Sequence, residues 1–102
     1  MTQVLLRALA AAVAPGTGWS VLPGEVLREA LESNGLTQAE FAAQIGRPAQ
    51  MVSEVITGKK SITPETALDF ELVLGISADF WVRVQADYDL SRARARAAGG
   101  GL

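Results

Sequence analysis

The stretch TQAEFAAQIGRPAQMVSEVITGKK, Thr37 to Lys60, decides the fold. Thr37 is a capping residue and Glu40 stands three positions later, the spacing at which hydroxyl and carboxylate each accept from the other residue's backbone N–H. Phe41 and Ile45 recur at a four-residue step, and Gly46 follows where the end of a helix calls for left-handed backbone. Pro48 suits the first turn of a second run, which extends to about Thr57 with Val52 and Val55 on its apolar side. Two short helices joined by a tight turn are predicted.

Helices that cross at about 90 to 120° over so short a connection need apolar inward faces, a small residue at their closest approach and a turn glycine. Phe41, Ile45, Val52 and Val55 supply the faces, Ala42 the small residue and Gly46 the turn. All six positions agree with a helix-turn-helix, which is more than apolar periodicity alone would produce; a plain helical hairpin packed for stability is the alternative.

Working outward, the same punctuation recurs. A helix is predicted from Gly24 to Ser33, with Val26, Leu27, Ala30 and Leu31 at helical spacing and Asn34-Gly35 as its stop. Its Glu25 and Glu29, four apart, read as a solvated face, because no other polar machinery stands nearby. Thr63 and Pro64 start a further helix that ends near Gly75, with an expected apolar stripe of Ala67, Leu68, Leu72 and Val73. Ser77 caps the last helix, in which Phe80, Trp81, Val84 and Tyr88 recur at three- and four-residue steps; Trp81 is expected in the core or at a dimer interface.

Ahead of these, Thr2 to Val13 reads as another helix, and Pro15 to Gly24, which includes Trp19, reads as a linker or strap over the core. Beyond Leu90, SRARARAAGGGL alternates Arg with Ala and ends in glycines, so a flexible tail is expected. The chain thus divides into residues 1–22, a helix-turn-helix domain over 23–90, and a basic tail over 91–102. No strand pattern is present, and the fold class is all-α.

With 102 residues, 49% hydrophobic and 20% charged, the chain has the composition of one globular domain. It contains neither Cys nor His, which removes disulfides, thiol and histidine-based catalysis and the usual zinc ligand sets. An enzyme is not expected, and neither is a cofactor or a metal. The opening MTQVLLRALAAAVAPG lacks a basic leader and carries Arg7 within its apolar run, so it reads as neither an export signal nor a membrane span, and the expected location is cytoplasmic.

The run from Pro48 to Thr57 offers side chains suited to a DNA major groove. Gln50 matches adenine N6 and N7, Ser53 can donate or accept, Glu54 can accept from cytosine N4, and Ala49 or Met51 can touch a thymine methyl. Base contacts are therefore assigned to Ala49, Gln50, Ser53 and Glu54. Phosphate contacts are assigned to Thr37 and Gln38 at a helix start, to Arg47 in the turn, and to Met51, Thr57, Lys59 and Lys60 on and beyond the second helix. The chain as a whole has a net charge of −2, but from Gly46 to Ser61 three cations face Glu54 alone. Binding follows this local field, so the acidic total does not exclude DNA.

GLTQAEFAAQIG and the following Gly58-Lys59-Lys60 resemble the Xre/Cro-type helix-turn-helix group. PGEVLREALE at Pro23–Glu32, SITPETALDFELVLG at Ser61–Gly75 and DFWVRVQADYDL at Asp79–Leu90 are similar to HigA-type antitoxins of bacterial toxin-antitoxin modules. Phe80-Trp81, Gln85 and Tyr88-Asp89-Leu90 carry the strongest match, and Arg47-Pro48 departs from the usual apolar residue and Ser cap. The resemblance implies a compact five-helix, lambda-repressor-like domain, here with an extra N-terminal helix. It further implies a homodimeric repressor bound to an operator, an inverted repeat in its own promoter, and neutralisation of a RelE/HigB-like toxin that cleaves mRNA. A stand-alone Xre-type regulator without a toxin and a helical protein-binding module that does not bind DNA are the alternatives.

Overall fold

Capping chemistry and apolar spacing resolve into five helices in the computed structural model, which describes residues 21–100. They are α1 (Pro23–Ser33), α2 (Gln38–Ile45), α3 (Ala49–Ile56), α4 (Pro64–Leu74) and α5 (Ala78–Gly100). The expected helix over Thr2–Val13 and most of the strap lie outside the described residues. The helix expected from Gly24 begins one residue earlier, at Pro23, and both residues are buried in the first turn of α1.

The caps follow the predicted chemistry. Thr37 Oγ1 accepts from the Glu40 N–H at 3.0 Å while Glu40 Oε1 accepts from the Thr37 N–H at 2.9 Å, closing the box that starts α2. Such a cap is worth about 1 kcal/mol. Gly46 ends α2 at φ 69°, and the N–H groups of Gly46 and Arg47 turn back to the carbonyls of Ala43 and Ala42. Any side chain at that φ would strain the backbone. Thr63 begins α4 through Thr66, and Ser77 Oγ accepts the Phe80 N–H at 3.2 Å to begin α5.

All five helices contribute to a single core. Val26 and Leu27 from α1, Phe41 and Ala42 from α2, Val52 and Val55 from α3, Phe70 from α4 and Trp81 from α5 are buried in it. Its spine is a run of rings: Phe41 to Phe70 at 5.4 Å, Phe70 edge-on to Trp81 at 5.3 Å, and Trp81 to Phe80 at 5.4 Å. Aromatic pairs at such separations add about 0.5–1.5 kcal/mol each beyond area burial. Trp81 accordingly belongs to the core.

Two expectations are corrected. The buried stripe of α4 is Thr66, Ala67, Phe70 and Leu74, whereas Leu68 and Leu72 are 60% and 84% exposed. One helix cannot bury both sets, since Leu72 lies about 200° around from Phe70 at 100° per residue, and the larger ring takes the inner side. The last helix also does not stop at Leu90 but runs unbroken to Gly100. Ala and Arg are strong helix formers, so the alternation read as a tail continues the helix beyond the core.

Candidate nucleic-acid interface

α3 is held from beneath. Val52 and Val55 are buried, and Met51 and Ile56 pack part of their surface against the same core. The opposite side of the helix leaves Ala49, Gln50, Ser53 and Thr57 exposed, with Glu54 half-buried beside them. The four residues assigned to base contacts therefore share one side of α3. Met51 is half-buried and packs part of its side chain against the core. Pro48 sits one position before the helix as its N-cap, with extended backbone and no side-chain cap bond.

The exposed side is internally bonded. Gln50 Nε2 donates to Glu54 Oε2 at 3.3 Å, and Thr57 Oγ1 donates to the Ser53 carbonyl at 3.0 Å. Thr37 and Gln38 share a cleft with Ile56, which puts the start of α2 beside the far end of α3. Past α3 the chain folds back on itself, since the N–H groups of Lys59 and Lys60 both donate to the Glu54 carbonyl, at 2.8 and 3.1 Å. The loop is tied down again where Gln85, buried on α5, accepts the Ile62 N–H through Oε1 at 2.9 Å and donates through Nε2 to Asp89.

The electrostatics differ from the sum along the sequence. Arg47 Nε donates to Asp69 Oδ2 on α4 at 2.5 Å, and Lys60 Nζ lies 3.9 Å from Glu54. Lys59 is the only cation of the segment with no carboxylate within ion-pair distance among the described residues. Asp69 was not among the residues the sequence singled out. Nothing local marks it, because its partner lies 22 positions away.

Gly24 was also missed in this role. A Cβ built on it would fall 2.2 Å from the Ile56 carbonyl oxygen and 2.5 Å from that of Val55, so α1 and the last turn of α3 meet backbone to backbone. Gly-Pro punctuation explains a helix start, but only the packing explains why no larger residue fits there. Among the described residues there is no group of His, Cys, Asp or Glu that could hold a metal ion, and no helix is long and apolar enough to cross a membrane.

A short helix fixed by its inner side, preceded by a glycine turn and offering a polar outer side, defines a helix-turn-helix domain. The family described as Helix-turn-helix matches residues 27–81, more than half of the chain, and the chain belongs to that family. Among its relatives, Virulence-associated protein A of Dichelobacter nodosus is 40% identical over 72 residues, covering 69% of this chain and 71% of that protein. Among solved structures, the Pseudomonas aeruginosa antitoxin HigA with the higBA promoter is 30% identical, with a TM-score of 0.70 over 81% of this chain and 89% of that one. An addiction module antidote protein of the HigA family from Coxiella burnetii is 27% identical, with a TM-score of 0.71 over 78% and 88% of the two chains. The likeness to HigA-type antitoxins first carried by Phe80-Trp81 and the α4 segment therefore extends to the three-dimensional fold.

Proposed function

We propose that this chain is a HigA-like antitoxin, a homodimeric repressor that reads an operator in its own promoter through α3 and neutralises a RelE/HigB-like mRNA-cleaving toxin. The observation that carries the DNA reading is the arrangement of α3: Val52 and Val55 anchor it while Ala49, Gln50 and Ser53 are exposed. A helix held in this way inserts as a rigid unit, and its polar side chains match base edges in the major groove. The solved relative with its promoter supports duplex DNA as the ligand. Two copies would place their α3 helices one helical turn, about 34 Å, apart on an inverted repeat. Phosphate contacts come from Thr37, Gln38, Arg47, Lys59 and Lys60, with Thr57 and the backbone at Met51 beside them.

The test is fluorescence anisotropy of the purified chain on its upstream promoter duplex and on a random duplex at moderate salt, with co-purification of the product of the neighbouring gene. A preference for the promoter of about a thousandfold or more is expected of a specific regulator. Equal affinity for the two duplexes would rule out the repressor. Promoter preference without a co-purifying partner would leave a stand-alone regulator.

A further inference from the structure

Arg47 stands at the threshold of α3, and what holds it is Asp69, from a different helix. The two side chains are 37% and 29% exposed, and the contact runs through Nε alone. A guanidinium carries five N–H donors, so one is used and four remain on its two terminal nitrogens. Those nitrogens have no other partner among the described residues. A partly exposed pair of this kind contributes little to folding. Its geometric effect is larger, because a long and otherwise mobile side chain is fixed along one edge while the other edge is left open.

We propose that Asp69 is a positioning residue for DNA binding, which orients Arg47 through Nε so that the terminal N–H groups present to a backbone phosphate beside the start of α3. The proposal rests on the DNA-binding reading above and adds a residue to it. The terminal edge of a guanidinium suits two phosphate oxygens, and an arginine already held in place loses less side-chain freedom when it binds. Asp69 itself does not touch the DNA. It also brings a negative charge near the duplex, so its removal has two opposing effects on affinity, and only the coupling between the two residues isolates the positioning effect.

The experiment is a double-mutant cycle on the full chain, with wild type, Arg47→Ala, Asp69→Ala and the double variant titrated on the promoter duplex over a salt series. Replacing Arg47 in the wild type is expected to weaken binding about tenfold or more and to lower the slope of log K against log salt by about 0.9 for each bound copy, or about 1.8 for the proposed dimer. In the Asp69→Ala background the same replacement is expected to change affinity by less than about threefold, because an unheld arginine contributes less. Asp69→Asn, which retains an oxygen to accept from Nε, should restore most of the Arg47 effect, whereas Asp69→Leu, which offers no acceptor, should shrink it as Asp69→Ala does and carries the test should Asp69→Ala fail to fold. An Arg47 effect of the same size in both backgrounds overturns the proposal, as does a larger effect without Asp69, which would make the carboxylate a competitor of phosphate. A wild-type chain that binds no duplex overturns this proposal together with the DNA reading. Promoter binding with a Lys59-dependent salt slope but no Arg47–Asp69 coupling overturns this one alone.

Discussion

Replacing Gly24 with Ala adds a single methyl group where α1 and the last turn of α3 meet backbone to backbone. The new carbon would lie 2.2 Å from the Ile56 oxygen, 2.5 Å from the Val55 oxygen and 2.6 Å from the Ile56 carbonyl carbon, all of them backbone atoms. Carbon–oxygen contacts are ordinarily about 3.3 Å or longer, so α1 and α3 would have to part by roughly 1 Å. No rotamer change relieves the clash. Overpacking of this kind costs about 1–3 kcal/mol, and contact with backbone alone puts Gly24→Ala toward the upper end. Against this stands the helix-propensity gain of about 0.5–1 kcal/mol from removing a glycine. The net expectation is a loss of about 2 kcal/mol, or roughly 8–16 °C in Tm at about 4–8 °C per kcal/mol for a domain of this size. Thermal and urea unfolding followed by circular dichroism measure it. Gly99→Ala is the control, because a Cβ there meets nothing within 4 Å. A Gly24→Ala protein that melts at or above wild type, beside an unaltered control, would refute the close approach of α1 and α3.

Phe70 links the rings of Phe41 and Trp81, so Phe70→Ala should cost about 3–5 kcal/mol and leave the domain marginal or unfolded in a denaturant titration. Leu72→Lys on the same helix, at a site 84% exposed, should change stability by no more than about 0.5 kcal/mol. In the proposed complex, Gln50→Ala should relax discrimination at one base position by about 1–3 kcal/mol, read by anisotropy across single-base operator variants. Lys59→Ala should weaken all sequences alike and flatten the salt slope by about one unit for each bound copy, and a base-specific effect would mean that Lys59 reaches into the groove.

Helix order, three side-chain caps and the inner side of α3 were legible in the sequence because they depend on residues within one turn of each other. Thr37 with Glu40, Gly46 after Ile45, and Val52 with Val55 are local grammar. The stripe of α4 was misread for a physical reason: Leu68 with Leu72 and Phe70 with Leu74 are both apolar at four-residue steps, and only the neighbouring Phe41 and Trp81 select the second pair. The end of α5 was misread because the glycines of the tail were weighed above the helix-forming Arg and Ala before them. At the candidate interface, the exposed side of α3 followed from periodicity. The Arg47–Asp69 and Lys60–Glu54 pairs did not, since each depends on how the chain folds back on itself. Counting charges along Gly46 to Ser61 therefore overstated the unpaired positive charge.

The loop that carries Lys59 and Lys60 is tied at its start to the Glu54 carbonyl and at its end, through Ile62, to Gln85. In an untethered loop, ordering the backbone costs about 1–2 kcal/mol per residue at 25 °C, and that cost would fall on the binding step. Here it is met during folding instead. A partner approaching the two lysines finds the backbone already narrowed to few conformations, with only the side chains left to settle. In the proposed complex, the ordering already met during folding would offset part of what this small acidic protein lacks in positive charge.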